Sequence, residues 1–226
     1  MQTFSELFSL LDSTQKTIDK TNALLAYFKH SRPIDFAWAV YFLSLLKIKR
    51  SIPSKVLKEA AREMSQIPQW LFDECYHIVG DLAETIAALL PPPQNKQNYQ
   101  FADLIETVIL TIKNLDNETK KQRLKQIWNT LEHNQRFIFN KLLTGNFRVG
   151  VSQKLLVRAL SQYSGVSETI LTARMIRQAA PTVEWLEQLL AQPDSTEKQI
   201  EPLPFMLAHS LDSNSNIIID TENFLA

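Results

Sequence analysis

The segment LLTGNFRVGVSQKLLVRAL, residues 142–160, predicts two helices joined by a short turn. Gly145 suits the end of the first helix, where a positive φ is needed. Gly150 lets the backbone approach a neighbour closely, and Ser152 is a good N-cap for the second helix. The apolar residues of that helix recur at helical spacing and are expected to face inward: Leu155, Leu156, Ala159, Leu160 and Tyr163.

The opposite side of the second helix is basic. Lys154 and Arg158 are four residues apart and share an outer face. A helix N-terminus with unpaired N–H groups, beside these two residues and Arg148, would suit a phosphate. The same spacing fits a tight helix–turn–helix corner with an exposed basic face, and spacing alone slightly favours the corner.

Helical periodicity extends over most of the 226 residues, which predicts an all-α fold. Only four glycines occur, where about 7% is usual, so sheet folds rich in tight turns are disfavoured. Ser54 opens one amphipathic helix, and another carries Leu124, Ile127, Trp128 and Leu131. Further helices are predicted near 4–11, 14–29, 35–46, 69–79, 81–90, 100–113, 134–144, 153–163, 168–178 and 182–191. The polar segment PPPQNKQNY, residues 91–99, is predicted to link two helical halves of a compact domain.

The composition excludes several kinds of site. No GxGxxG or GxxxxGK[ST] motif is present, so the common dinucleotide and P-loop phosphate sites are excluded. Cys75 is the only cysteine, so we expect no disulfide within the chain; the cluster Asp73, Glu74, Cys75 and His77 has no second partner motif, so we expect no metal site. The longest apolar run, residues 36–43, is too short for a membrane span, and its aromatic residues are expected in the core. We therefore expect a cytoplasmic protein with no membrane partner.

The 24 basic and 24 acidic residues balance, but their distribution is uneven. Residues 47–62 carry six basic side chains against one acid, and residues 141–178 do the same. Residues 181–226 carry eight acids against one lysine. In the first region Lys47, Lys49 and Arg50 lie in a short connection where they could converge on a phosphate, although a solubilising loop is equally consistent with the sequence.

The composition changes near the C-terminus, where polar residues 193–202 precede the short apolar segments PLPFMLAHS and NIIID. These short apolar runs suit strands but are too few to bury a core. We expect a helical domain over 1–192, followed at 193–226 by a non-helical tail that begins a further domain.

Three segments in order resemble a known family. LLTGNFRVGVSQKLLVRAL is similar to the segment that marks the all-helical N-terminal DNA-binding domain of ATP-dependent DNA ligases. Residues 67–91, IPQWLFDECYHIVGDLAETIAALLP, look like the corresponding stretch in the bacterial branch of this family. Residues 202–210, PLPFMLAHS, resemble the entry into the nucleotidyltransferase domain. The resemblance covers essentially the whole chain.

The resemblance implies a protein that grips nicked double-stranded DNA through phosphates facing the minor groove, for ligation in replication, repair or recombination. It places Gly145, Arg148, Gly150, Ser152, Gln153 and Lys154 at the phosphate, with Arg158 one turn further along. Lys47, Lys49 and Arg50 form a second group, chosen by matching position and charge. A cytoplasmic, nucleoid-associated monomer is expected.

The resemblance also implies that this chain cannot catalyse ligation alone. In the family the catalytic lysine of a K-x-D-G motif takes AMP from ATP, yet none of the 15 lysines here begins that motif. We expect this chain to hold no cofactor and to be inactive alone. ATP and Mg²⁺ would serve the full-length ligase, whose nucleotidyltransferase and oligonucleotide-binding (OB-fold) domains are expected as partners in the same polypeptide. The alternative is a helical protein–protein interaction scaffold, supported by the amphipathic helices and the neutral net charge.

Overall fold

In the computed structural model the chain is described at residues 1–44, 46, 48, 52–145, 150–176 and 180–193. Within these residues the structure is all-helical and has no strand, as predicted. The α-helices are α1 (Gln2–Ser13), α2 (Thr17–His30), α3 (Pro33–Leu43), α4 (Ser54–Ser65), α5 (Gln69–Val79), α6 (Leu82–Leu89), α7 (Phe101–Leu104), α8 (Asn117–Trp128), α9 (His133–Thr144), α10 (Gln153–Ser164), α11 (Glu168–Ile176) and α12 (Val183–Leu190).

The helices pack into two groups. In the first group α2 packs against α1 and α10, α3 against α7 and α12, and α11 against α10 and α12. In the second, α6 packs against α4, α5 and α9, and α4 packs against α8. The groups meet where α1 contacts α9, and their buried side chains form one continuous hydrophobic core.

The segment 91–99 separates the two halves of the sequence but not the two groups, since each group contains helices from both sides of it. The segment is non-helical, as predicted, and is fixed along the end of α8. The Asn95 N–H donates to the Asn129 carbonyl at 3.2 Å, and the Gln97 N–H donates to the Thr130 carbonyl at 3.0 Å.

The continuous helix predicted over 100–113 is wrong in detail. After the single turn of α7 the backbone widens into a π-helix at Ile105–Ile109, with the Leu110 N–H donating to the Ile105 carbonyl at 2.9 Å, and then tightens into a 3₁₀ turn at Ile112–Asn114. This region is rich in β-branched residues, which favour the α-helix weakly. In addition, the Thr107 hydroxyl bonds the Asp103 carbonyl at 2.6 Å, which competes with the helical ladder.

The aromatic residues of α3 lie in the core, as expected. Phe36 stacks on Phe28 with ring centroids 4.3 Å apart, and Trp38 donates to Glu106 Oε1 at 3.0 Å. Tyr163 is less buried than its spacing predicts: it is 39% exposed, and its ring meets those of Phe28 and Phe36 in edge-to-face contacts. The strands predicted at 202–210 and 216–220 lie outside the described residues.

Candidate nucleic-acid interface

The turn between α9 and α10 carries the predicted phosphate site. Gly145 ends α9 in the left-handed region at φ +70°, as predicted, and Gly150 also has a positive φ, of +61°. Ser152 caps α10, since its hydroxyl accepts from the Leu155 N–H at 3.2 Å. Arg148 lies outside the described residues.

The first turn of α10 has unused donors. The N–H groups of Val151, Gln153 and Lys154 have no acceptor within the described residues. Such groups carry the positive end of the helix dipole, which attracts anions. The turn thus has the donors that a phosphate would need.

The outer face of α10 is basic, as predicted. Gln153, Lys154 and Arg158 are exposed, whereas Leu155, Leu156, Ala159 and Leu160 are buried. Arg158 makes a long ion pair with Glu168, at 3.9 Å. Lys154 has no ion-pair partner in the part of the chain that the structure describes, so its charge is available to a ligand.

Lys20 is a residue of this region that the sequence analysis missed. It lies on the buried face of α2, and its Nζ donates to the Gly150 carbonyl at 2.7 Å. Its position in the sequence gives a signal, because residue 20 shares a helix face with buried Leu24, Tyr27 and Phe28. A lysine within an apolar helix face indicates that its ammonium group bonds a specific acceptor, but the sequence does not identify that acceptor.

Lys141 and Arg174, two other cations of the basic region 141–178, bond groups within the protein and so stabilise the fold. Lys141 bonds the Asp81 carboxylate and lies over the Phe137 ring, 5.1 Å from its centroid. Arg174 donates to the Leu189 and Ala191 carbonyls at 2.9 and 2.7 Å, where α12 ends. These two residues are therefore poor candidates for DNA contacts.

The basic region 47–62 contains residues that lie outside the described part of the chain and a lysine that is bonded within the fold. Lys47, Lys49 and Arg50 lie outside the described residues, so their predicted role stays a prediction. Lys58 pairs with Asp73 at 3.6 Å and lies 4.4 Å from the centroid of the Tyr76 ring. Its charge is therefore used between α4 and α5.

Other cations are neutralised between α4 and α8. Lys125 and Lys121 both bond Glu63. The hydrogen bond from Lys125, with a second from Lys121, holds the pKa of the Glu63 carboxyl below its usual value. The basic side of α8 is thus only partly free for a ligand.

The described residues form neither a metal site nor a membrane span. No group of three or more His, Cys, Asp or Glu side chains there has the arrangement to hold a metal ion, and Cys75 is half-buried with a free thiol. None of the described helices has both the length and the apolar character to cross a membrane.

Comparison with known families identifies a family that covers most of the chain. The family described as DNA ligase N terminus matches residues 1–161, which include α1 to α9 and most of α10. The matched range contains Lys20, the turn before α10 and the basic residues of its first two turns. No curated protein matches the chain.

Proposed function

Because the chain belongs to the DNA ligase N-terminus family, we propose that it binds double-stranded DNA through the backbone phosphates and holds nicked DNA for a DNA ligase. The observation that carries this proposal is the turn before α10, where N–H groups and Lys154 have no partner among the described residues. Phosphate contacts position a protein without reading sequence. A ligase needs such a grip because it must act at any nick.

The proposal extends to the ligase that the chain would serve. We propose an enzyme that uses ATP and Mg²⁺ to seal strands in replication, repair or recombination, with nucleotidyltransferase and OB-fold domains acting beside this one. The chain would act as a monomer on chromosomal DNA in the cytoplasm.

Fluorescence anisotropy of a labelled nicked duplex, titrated at several salt concentrations, tests the binding. Binding should fall steeply with salt, with a log–log slope of about −4 to −8, because each neutralised phosphate releases counterions. An intact duplex as comparison shows whether the nick itself is recognised.

Lys154→Ala should weaken binding to all sequences alike and reduce the steepness of the salt dependence by about one unit. Lys29→Ala is the matched control, since Lys29 is exposed on α2 and has no ion-pair partner among the described residues. Absence of wild-type binding at low salt would contradict the proposal. Equal binding by the two variants would show that Lys154 is not at the phosphate.

One observation favours the alternative, a protein–protein interaction scaffold. The helix α5 exposes Trp70 and Ile78, at 66% and 81%, on one side of the helix. Large exposed apolar side chains are typical of protein-binding surfaces. If the chain is a scaffold, it should fail to bind DNA at low salt, and Trp70→Ser with Ile78→Ser should abolish binding of its protein partner.

A further inference from the structure

The environment of Lys20 is unusual for a lysine. The residue is 9% exposed, and its ammonium group has no carboxylate within ion-pair distance among the described residues. Its one acceptor there is the Gly150 carbonyl, 130 residues away in the sequence. Burial of an ammonium group opposes folding unless its partners compensate, and an apolar residue would fit the stripe of α2 without that cost.

Gly150 has no side chain, and this leaves space for the Lys20 ammonium group. Its φ of +61° is easily adopted only by glycine, and a Cβ at this position would lie 2.9 Å from Lys20 Nζ. The ammonium group therefore occupies the space that a side chain at position 150 would need. The contact accounts for a glycine here by both backbone conformation and space.

The contact also orients the next peptide group. The carbonyl of Gly150 and the N–H of Val151 belong to one planar trans peptide and point in opposite directions. Because Lys20 holds the carbonyl toward α2, the Val151 N–H points away from α2. That N–H is the first of the unused donors that lead into α10.

We propose that Lys20 is a positioning residue for phosphate binding, which acts by holding the Gly150 carbonyl and so fixing the donors at the start of α10. This inference rests on the proposed DNA binding. A turn that is already fixed does not lose conformational entropy when the phosphate arrives, so the affinity is higher. Lys20 acts through Gly150 and does not itself touch the phosphate.

The test compares Lys20→Met, which keeps length and apolar packing but removes the donor, with Lys20→Arg and the exposed control Lys29→Met. We expect Lys20→Met to weaken binding to the nicked duplex about tenfold, and Lys20→Arg to restore most of it. Lys29→Met should bind like the wild type. The salt slope of Lys20→Met should equal that of the wild type, unlike the slope of Lys154→Ala.

Gly150→Ala tests the same contact from the other side and leaves α2 unchanged, which matters if Lys20→Met fails to fold. The combined variant should lose less affinity than the sum of the two single losses, because both changes break one contact, while alanine at a φ of +61° adds a backbone strain of its own. Additive losses would overturn the proposal. A salt slope lowered by about one unit in Lys20→Met would also overturn it, since Lys20 would then contact the phosphate directly.

Amide hydrogen exchange without DNA separates this inference from the proposed function. Lys20→Met should accelerate exchange at Leu155 and Leu156, whose N–H groups bond Ser152 at the start of α10, and leave α6 and α9 unchanged. If the wild type binds no DNA, the proposed function fails, whatever the exchange shows. If the wild type binds and Lys20→Met behaves like Lys29→Met in binding and exchange, only the positioning role fails.

Discussion

At the scale of single residues, buried charges connect helices that are distant in the sequence. Arg136 on α9 is 2% exposed, and its Nε donates to the Trp128 carbonyl at 2.6 Å while Nη1 donates to the Pro91 carbonyl at 2.7 Å. Trp128 ends α8, and Pro91 follows the end of α6. The guanidinium thus lies at the negative ends of two helix dipoles.

Arg136→Met should lower the free energy of unfolding by about 3 kcal/mol, because the carbonyls of buried Trp128 and of Pro91 both lose their donor. Arg123→Met is the control, since Arg123 is exposed on α8 and should change stability by less than about 0.5 kcal/mol. Urea unfolding monitored by circular dichroism measures both. Equal stability of the two variants would show that the bonds of Arg136 contribute nothing.

Asp81 makes stability depend on pH. It caps α6 by accepting from the Glu84 N–H at 3.0 Å and also bonds Lys141. Burial opposes ionisation of Asp81, but Lys141 and the Glu84 N–H outweigh it and hold the pKa of the carboxyl below its usual value. The unfolded chain therefore binds the proton more readily, so this contribution is complete above about pH 5 and is lost progressively as the pH falls below about 4.

Asp81→Asn keeps a side-chain oxygen for the cap but removes the charge. We expect a loss of about 1 kcal/mol at pH 7 and a smaller decline of stability between pH 5 and pH 3 than in the wild type. Thermal unfolding across this range measures the effect, with exposed Asp12→Asn as the control. A decline as large as that of the wild type would assign the acid sensitivity to other groups.

At the scale of elements, the start of α10 combines stability with the proposed binding. Ser152→Ala should cost about 1 kcal/mol of stability, because the Leu155 N–H loses its cap. Ser152→Asp should keep the cap and the stability but weaken DNA binding, since a carboxylate there repels phosphate. Thermal unfolding and anisotropy on both variants separate the two roles. Unchanged DNA binding by Ser152→Asp would place the phosphate elsewhere.

The elements themselves were largely predictable from the sequence. The Gly145 and Ser152 caps and the buried face of α10 follow from local spacing, which the structure confirms. The π-helix at Ile105–Ile109 was not predicted, because its apolar spacing is the same as that of an ordinary helix. Periodicity reports which side of a segment is buried, and it does not report how tightly the backbone turns.

The candidate site was less predictable than the helices. Lys154 and Ser152 carry local signals, whereas the bonds from Lys20 to Gly150 and from Lys141 to Asp81 join residues 130 and 60 positions apart. No local pattern specifies such pairs, because the partners meet only when the helices pack. For the same reason the charge count places Lys141 in the basic region 141–178, whereas in the fold it is paired with Asp81.

At the scale of the whole molecule, the shared core predicts cooperative unfolding. Helices from both sides of the 91–99 segment pack in each group, and α1 joins α9 across the groups. We expect amides in α2 and α9 to exchange with the same opening free energy as urea is raised. Native-state hydrogen exchange measures this. Two distinct free energies would show that the groups unfold separately.

The bond between Lys20 and Gly150 can form only late in the synthesis of the chain. The ribosome releases α2 long before the turn that Lys20 holds, so the loop between them closes only after most of the chain has emerged. Long-range contacts of this kind form late in folding. A nascent or truncated chain that ends before α10 would therefore contain helices and basic side chains but no fixed turn, and under the proposed function it would not compete with the finished protein for nicked DNA.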